Sequence, residues 1–164
     1  MKTYLVVFLG LTAVILLGGV MNMGTDTPLV PYPDGYRSWT HVKTLLLLPG
    51  HPLYEGFGGM HHIYANDKAA EVLRKGGNHF PDGSILVFDL FEAPQQDNAI
   101  SEGARKVTAV MLKRAKAYKE TGGWGFEAFK GNSRERIVTD PVTQCYNCHA
   151  GQAQRDYVFS QWRP

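Results

Sequence analysis

The sequence has almost no excess of one charge, and it lacks repeats. Its 17 lysines and arginines and 15 aspartates and glutamates give a formal net charge of +2 at pH 7. A nucleic-acid backbone is recognised by a basic surface that neutralises phosphates, so nucleic acid is not an expected partner. Hydrophobic residues at 44% and charged residues at 20% are typical of a globular chain, and 164 residues fit one domain with an appendage.

Charge is missing from the start of the chain, because no charged residue lies between Lys2 and Asp26. A helix that crosses a bilayer needs about 20 apolar residues, which Thr3 to Gly24 supply. The run ends without the small-residue site at which signal peptides are cleaved. We therefore predict that residues 1–24 form an N-terminal hydrophobic helix, a signal peptide or an uncleaved membrane anchor, and we favour the anchor. Prolines and a turn pair predict a linker over residues 25–35, followed by a folded domain over residues 36–164.

The pattern of the folded domain predicts an α+β class. Apolar residues three and four apart indicate a helix over Tyr36–Leu48 that ends at Pro49-Gly50. Asn66 is a suitable N-cap for a second helix that ends at Gly76-Gly77. Apolar, β-branched residues and alternation predict strands over residues 60–65, 84–91, 105–118 and 123–129, although the third could also be a helix.

Cysteine is scarce, and both cysteines belong to one motif. Cys145 and Cys148 are followed directly by His149, which gives C-x-x-C-H. On one helical turn the two thiols reach the two vinyl groups of a haem, and the imidazole lies under the iron. Asp140 and Pro141 predict the start of such a helix, over residues 142–152. The motif therefore predicts one covalently attached haem c, with His149 as the proximal iron ligand.

Two other uses of a cysteine pair lack support in this sequence. A redox C-x-x-C pair normally lies within a βαβ pattern, which is missing, and a zinc site needs two further ligands at short spacing. The predicted export segment agrees with haem attachment, since cytochromes c mature on the outer side of the bacterial inner membrane, where cysteines not joined to haem risk oxidation. We expect the protein in the periplasm or on the outer face of the inner membrane, anchored there if residues 3–24 are not cleaved.

The distal side of the iron is less defined. His61 and His62 are candidate distal ligands, because neighbours on a strand point to opposite faces and one of them could enter a haem pocket. A hydrogen-bonded core or surface role is the competing interpretation for either histidine. Phe88, Trp124 and Phe126 belong to an aromatic set that predicts both the core and the haem pocket. Weaker ligand candidates are His41, His51, His79, Met60 and Met111.

A run of basic residues precedes the last predicted strand. It consists of Lys113, Arg114, Lys116 and Lys119. We interpret this run as a solvated face, and a docking surface for an acidic redox partner is the alternative.

Several stretches, taken in order from about residue 32 to the end, resemble the cytochrome P-460 family, which includes the cytochromes c′-beta. They are Tyr36-Arg-Ser-Trp39, His62-Ile-Tyr-Ala-Asn66, Phe80-Pro-Asp-Gly-Ser84, Thr121-Gly-Gly-Trp-Gly-Phe126, Cys145-Tyr-Asn-Cys-His149 and Asp156-Tyr-Val-Phe159. The resemblance implies a mainly antiparallel sheet with packed helices, a homodimer, and a haem whose distal side is open or weakly occupied.

The resemblance also has two departures. The lysine that cross-links the haem in cytochromes P-460 falls at Phe88, and no lysine lies between Lys75 and Lys106. The distal arginine of that branch falls at His61. The resemblance is therefore closer to the c′-beta type, which binds nitric oxide and similar small ligands at a five-coordinate haem, with His61, Phe88, Trp124 and Phe126 as expected pocket residues.

Two alternative functions stay open. In the first, His61, His62 or Met60 occupies the sixth iron position of an electron-transfer subunit that meets a redox partner beside a membrane complex. In the second, ranked last, the protein is an oxidoreductase that consumes hydroxylamine or peroxide. Whether the protein is an enzyme is left open by the sequence, and one-electron redox is compatible with every alternative.

Overall fold

The computed structural model describes residues 27–163, which form an α+β fold around one antiparallel sheet. The strands are β1 (Thr40–Leu47), β2 (Gly59–Ala65), β3 (Ile85–Phe91), β4 (Gln95–Gln96), β5 (Ala99–Ile100), β6 (Arg105–Lys113) and β7 (Trp124–Lys130). Five of them pair in the order β1-β2-β3-β6-β7, and each pair is antiparallel. A two-stranded ribbon, β4 with β5, projects from the connection between β3 and β6.

The helices are short, and the longest lies between two neighbouring strands. Asn66 caps it through a hydrogen bond from the backbone N–H of Ala69, as predicted. The helices are α1 (Tyr54–Phe57), α2 (Asp67–Arg74) and α3 (Asn147–His149), with 3₁₀ turns at Tyr36–Ser38, Lys119–Thr121 and Ala150–Arg155 and a π-helical turn at Val142–Tyr146. None of the helices within residues 27–163 is long and apolar enough to cross a membrane. The N-terminal helix predicted over residues 1–24 lies outside the described residues.

The helix predicted over Tyr36–Leu48 is wrong, because most of this segment is β1. Its register against β2 shifts between His41 and Lys43, which marks a bulge. An extra residue in a strand changes the phase of its alternation, so Val42 and Leu45 come to face the same side although they are three residues apart. In a bulged strand, apolar residues on one face can therefore have the three-residue spacing that is typical of a helix.

The other predicted strands are confirmed with small changes at their ends. The segment that could have been strand or helix forms β6 and ends at Lys113, where the chain turns through hydrogen bonds from Ala117 and Tyr118 to the carbonyl of Arg114. In β7 the predicted alternation places Trp124 and Phe126 on one side. The helical segment predicted at residues 142–152 is present as three short turns in succession.

We call the side of the sheet that carries His61, Phe88 and Phe126 the front face. Its core continues into α2 and into the C-terminal segment, where Val158 is 2% exposed. The sheet thus forms a wall against which the segment with both cysteines packs, and Cys145 itself contacts the front-face core.

The opposite side, the back face, carries His62, Asp89 and Phe129. Residues 27–35, predicted as linker, contain no helix or strand, and their Val30 packs against the back face. Asp89 is fully buried there and is held by Arg105, whose Nε lies 2.7 Å from Asp89 Oδ1. The back face therefore contains a buried ion pair as well as apolar residues.

Candidate functional site

The cysteine-containing segment is started by a side-chain cap. Asp140 Oδ1 accepts hydrogen bonds from the backbone N–H groups of Val142, at 3.0 Å, and Thr143, at 3.2 Å. Cys145 is partly buried and Cys148 is exposed, and neither forms a disulfide. Burial, assisted by nearby carboxylates, raises the pKa of the Cys145 thiol to about 11. The two cysteines are therefore not joined to each other, and they stand about one helical turn apart.

His149 lies between two aromatic rings, with Phe126 and Phe159 each at 5.0 Å between ring centroids. Its Nδ1 is 2.7 Å from the carbonyl oxygen of Tyr157. Because a carbonyl can only accept, Nδ1 carries the proton and donates, which leaves the lone pair of Nε2 free. Burial lowers the pKa of His149 and so favours the neutral ring. A neutral imidazole with a free Nε2 is the form that binds a metal.

Two rings on neighbouring strands of the front face and one ring at the end of α1 form a second cluster. Phe88 lies 4.6 Å from His61 and 6.1 Å from Phe57 between ring centroids. His61 is 3% exposed, and its Nε2 hydrogen-bonds to the carbonyl of Phe57. Burial lowers the pKa of His61, so the ring is held neutral. This cluster is apolar apart from one hydrogen bond that is already satisfied.

The two adjacent histidines occupy different environments. His62 points to the back face, where its Nδ1 lies 2.8 Å from Thr44 Oγ1 and its Nε2 lies 2.8 Å from Glu102 Oε1. His61 shares the front face with Phe126, against which His149 packs. Only His61 of the pair therefore stands on the side of the sheet that carries His149.

The remaining predicted residues divide into those near His149 and those elsewhere. Trp124 is fully buried, and its Nε1 donates a hydrogen bond of 2.8 Å to the carbonyl of Asp156, beside the segment that orients His149. Lys113 is not on a solvated face as predicted, because it is 5% exposed and points to the front of the sheet. Of the weaker ligand candidates, Met111 packs on the front-face core. Met60 and His41 lie at strand positions that face the back of the sheet, and His51 and His79 are exposed.

Three residues at the site were not predicted from the sequence. Tyr157 acts through its backbone carbonyl, which no side-chain pattern reveals. Phe57 is the last residue of the short helix α1, and Phe159 lies in the loop after the last 3₁₀ turn. Phe57 and Phe159 are also unusually exposed for phenylalanine, at 46% and 45%. The glycine pair after Phe57, which allows the chain to turn into β2, was the one available signal near it.

The residues at this site fit a haem. A haem would form bonds with two cysteines one turn apart and with a neutral histidine whose Nε2 has a lone pair, and its flat apolar surface would cover two exposed phenylalanines. Lys43, half-buried on the front face, has its pKa lowered by burial and by the nearby Arg163 and Arg155. Such a group of cations suits the propionate carboxylates of a haem.

No cluster of three or more histidine, cysteine, aspartate or glutamate side chains within residues 27–163 is arranged to hold a metal ion by itself. The family model for cytochrome P-460 matches residues 33–160 of the chain. No curated protein sequence matches the chain.

Proposed function

The chain belongs to the cytochrome P-460 family, whose members bind haem c, and from this premise we propose that it is a mono-haem cytochrome with an open distal site. Cys145 and Cys148 would hold the haem through thioether bonds, and His149 would bind its iron. The ligand that we propose for the opposite side of the iron is nitric oxide or a similar small neutral molecule.

The orientation of His149 carries this proposal. Its Nδ1 donates to the Tyr157 carbonyl, which leaves a lone pair on Nε2, and the two cysteines precede it in the same helical segment. A hydrogen bond from the outer nitrogen of a ligating histidine to a carbonyl fixes the ring and raises the basicity of the inner nitrogen. When bound, the haem supplies an iron that can bind a diatomic ligand and change its oxidation state by one electron.

The environment of His61 supports an open distal position. Its Nε2 is already engaged by the Phe57 carbonyl, and the Phe88 ring lies against it. A neutral diatomic ligand enters such an apolar space without the desolvation of a charge, whereas an anion is disfavoured. Phe88, in place of a cross-linking lysine, favours the c′-beta type over a hydroxylamine-oxidising enzyme.

A six-coordinate electron carrier is the second candidate function. One observation favours it, which is that His61 is buried on the same face as the core that packs against His149. Rotation of His61 away from the Phe57 carbonyl would free its Nε2 for the iron. Reduction and oxidation without ligand exchange would then be the function, with a redox protein as partner.

The location and assembly of the protein extend the proposal. The uncharged segment at residues 3–24 and the C-x-x-C-H motif both support export to the periplasm or to the outer face of the inner membrane. Retention of the segment would anchor the domain, and the resemblance to the family supports a homodimer. Sedimentation of the full chain, with and without detergent, tests both points.

Absorption spectra of the purified holoprotein test the proposed function. They are recorded as isolated, after reduction, and after addition of nitric oxide or carbon monoxide. We expect a high-spin haem that takes up ligand at once. A low-spin reduced spectrum that ignores the ligand would overturn the open site. If His61→Leu then produced a high-spin spectrum, the six-coordinate carrier would replace it. A Soret band far to the red would indicate a cross-linked haem.

A further inference from the structure

A lysine is buried behind the segment that orients His149. Lys113 stands at the end of β6, is 5% exposed, and places its Nζ 2.5 Å from Asp156 Oδ1 and 3.1 Å from the carbonyl oxygen of Gly122. The same Nζ lies 5.1 Å from the centroid of the Trp124 ring. Lysine is rarely buried this fully unless it is paired, so the pair with Asp156 is a specific arrangement.

Asp156 connects this lysine to two other parts of the fold. Its Oδ2 accepts a hydrogen bond of 2.9 Å from the backbone N–H of Phe80, and its carbonyl accepts one of 2.8 Å from Trp124 Nε1. Both carboxylate oxygens and the carbonyl of Asp156 are therefore engaged. The residue is fixed from three directions, by β6, by β7 and by the turn that precedes β3.

This fixation maintains an uncommon backbone. Asp156 has a φ of 51° and Tyr157 a φ of 67°, so two consecutive residues other than glycine are left-handed. Left-handed backbone is strained for residues other than glycine and persists where its surroundings hold it. The strained pair turns the Tyr157 carbonyl toward His149, whose Nδ1 is 2.7 Å away. Tyr157 takes its orientation from the residue before it, which is Asp156.

We propose that Lys113 and Asp156 are positioning residues for the axial ligand of the iron. They act together with the Tyr157 carbonyl as a unit that we call the proximal clasp. By holding that carbonyl against Nδ1, the clasp keeps His149 in one tautomer and one ring orientation and strengthens its donation through Nε2. The inference rests on the proposed function, because it takes His149 as the iron ligand.

If Lys113 and Asp156 only stabilised the fold, their replacement would not change the hydrogen bond of His149 or its bond to the iron in protein that remains folded. A buried ion pair is often close to neutral for stability, whereas removal of one partner leaves an uncompensated charge. Loss of stability in a variant therefore does not separate the two roles. The measurement that separates them is one of the histidine itself, in protein that remains folded.

The test uses the holoprotein and three variants. Asp156→Asn removes the ion pair but keeps an acceptor for Phe80 and tolerates the left-handed backbone, so it retains the fold even if Lys113→Met does not. Lys113→Arg is the conservative rescue. Lys130→Met is the matched control, because Lys130 pairs with Glu135 at 3.8 Å on the exposed end of β7.

The first readout is the iron–histidine stretching band of the reduced protein in resonance Raman spectra. We expect a shift to lower frequency in Asp156→Asn and Lys113→Met, a smaller shift in Lys113→Arg, and none in Lys130→Met. The second readout is the exchange rate of the His149 Nδ1 proton by NMR, which we expect to rise about ten-fold or more in the first two variants. An unchanged band and an unchanged exchange rate in folded Asp156→Asn would overturn the clasp.

Failure of the proposed function gives a different result. A wild-type protein in which another group binds the iron would show no band from His149, whatever the variants do. If instead the iron has a sixth protein ligand, the exchange of the Nδ1 proton still reports on the clasp, because His149 keeps its contact with Tyr157.

Discussion

Truncation of Phe88 is the most direct perturbation of the distal side. Phe88→Ala removes a ring that stands 4.6 Å from His61 and 6.1 Å from Phe57. We expect the native ring to hinder a ligand that enters beside His61, and its displacement from its rotamer by some tens of degrees would cost about 0.5–1.5 kcal/mol. Removal of this energy cost should raise the association rate of nitric oxide or carbon monoxide roughly two- to ten-fold.

The same strand provides a matched control. Phe91 is 5% exposed on the back face, where Arg105 lies 4.8 Å from its ring centroid. Phe91→Ala should lower the free energy of unfolding by about 3–5 kcal/mol, and Phe88→Ala, at a half-buried site, by about 2 kcal/mol. Only Phe88→Ala should change ligand association, although it disturbs the fold less.

Stopped-flow mixing and flash photolysis of the reduced holoprotein measure the association rates, and urea denaturation measures stability. Equal association rates in wild type and Phe88→Ala would refute a steric role for this ring. A similar increase in Phe91→Ala would show that general loosening of the sheet, and not the space beside His61, controls ligand entry.

Three further results are expected. Arg105→Met should lower the free energy of unfolding by about 3–5 kcal/mol in urea titrations, because it leaves the buried Asp89 without its main partner. A loss below about 1 kcal/mol would mean that Arg37, whose Nη1 lies 3.7 Å from Asp89 Oδ2, replaces Arg105 as the partner of this carboxylate. Asn66→Ala removes hydrogen bonds to α2, β3 and Gly83 and should lower the free energy of unfolding by about 2 kcal/mol, measured by thermal unfolding. Asn66→Asp keeps an Oδ1 acceptor and should lower it less, so equal losses in the two variants would contradict the role of Oδ1. Because burial holds the pKa of His61 below its ordinary value, the unfolded chain binds more protons below pH of about 6.5, and stability should fall as the pH falls through that value. His61→Leu should flatten this slope between pH 7.5 and 5 in denaturation series, and an unchanged slope would assign it to other groups.

Local patterns predicted most of the sheet but not its first strand. In β2, β3, β6 and β7, apolar, β-branched or alternating residues are bounded by turn signals, so the local sequence alone predicts a strand. In β1 the bulge between His41 and Lys43 depends on the pairing with β2, which is a tertiary contact. A sequence window cannot contain that partner, and Val42 and Leu45 therefore indicated a helix.

The candidate site was predicted to a similar degree. The spacing of Cys145, Cys148 and His149 shows a shared helical segment, and the structure places them on one. The Tyr157 carbonyl has no side-chain signature, and Lys113 belonged to a basic run whose other members are exposed. The burial of Lys113 follows from its position at the end of β6 beside Asp156, 43 residues later in the chain.

The order of these residues along the chain has a consequence for biogenesis. Lys113, Trp124 and Phe80 all precede Asp156, so every contact of the proximal clasp waits for the last part of the chain. Every strand of the main sheet, including β7, also precedes Cys145, Cys148 and His149 along the chain. Closure of the clasp therefore requires the C-terminal segment to return to a sheet whose strands all lie before it, and a chain cut short after His149 would contain both cysteines without the carbonyl that orients His149.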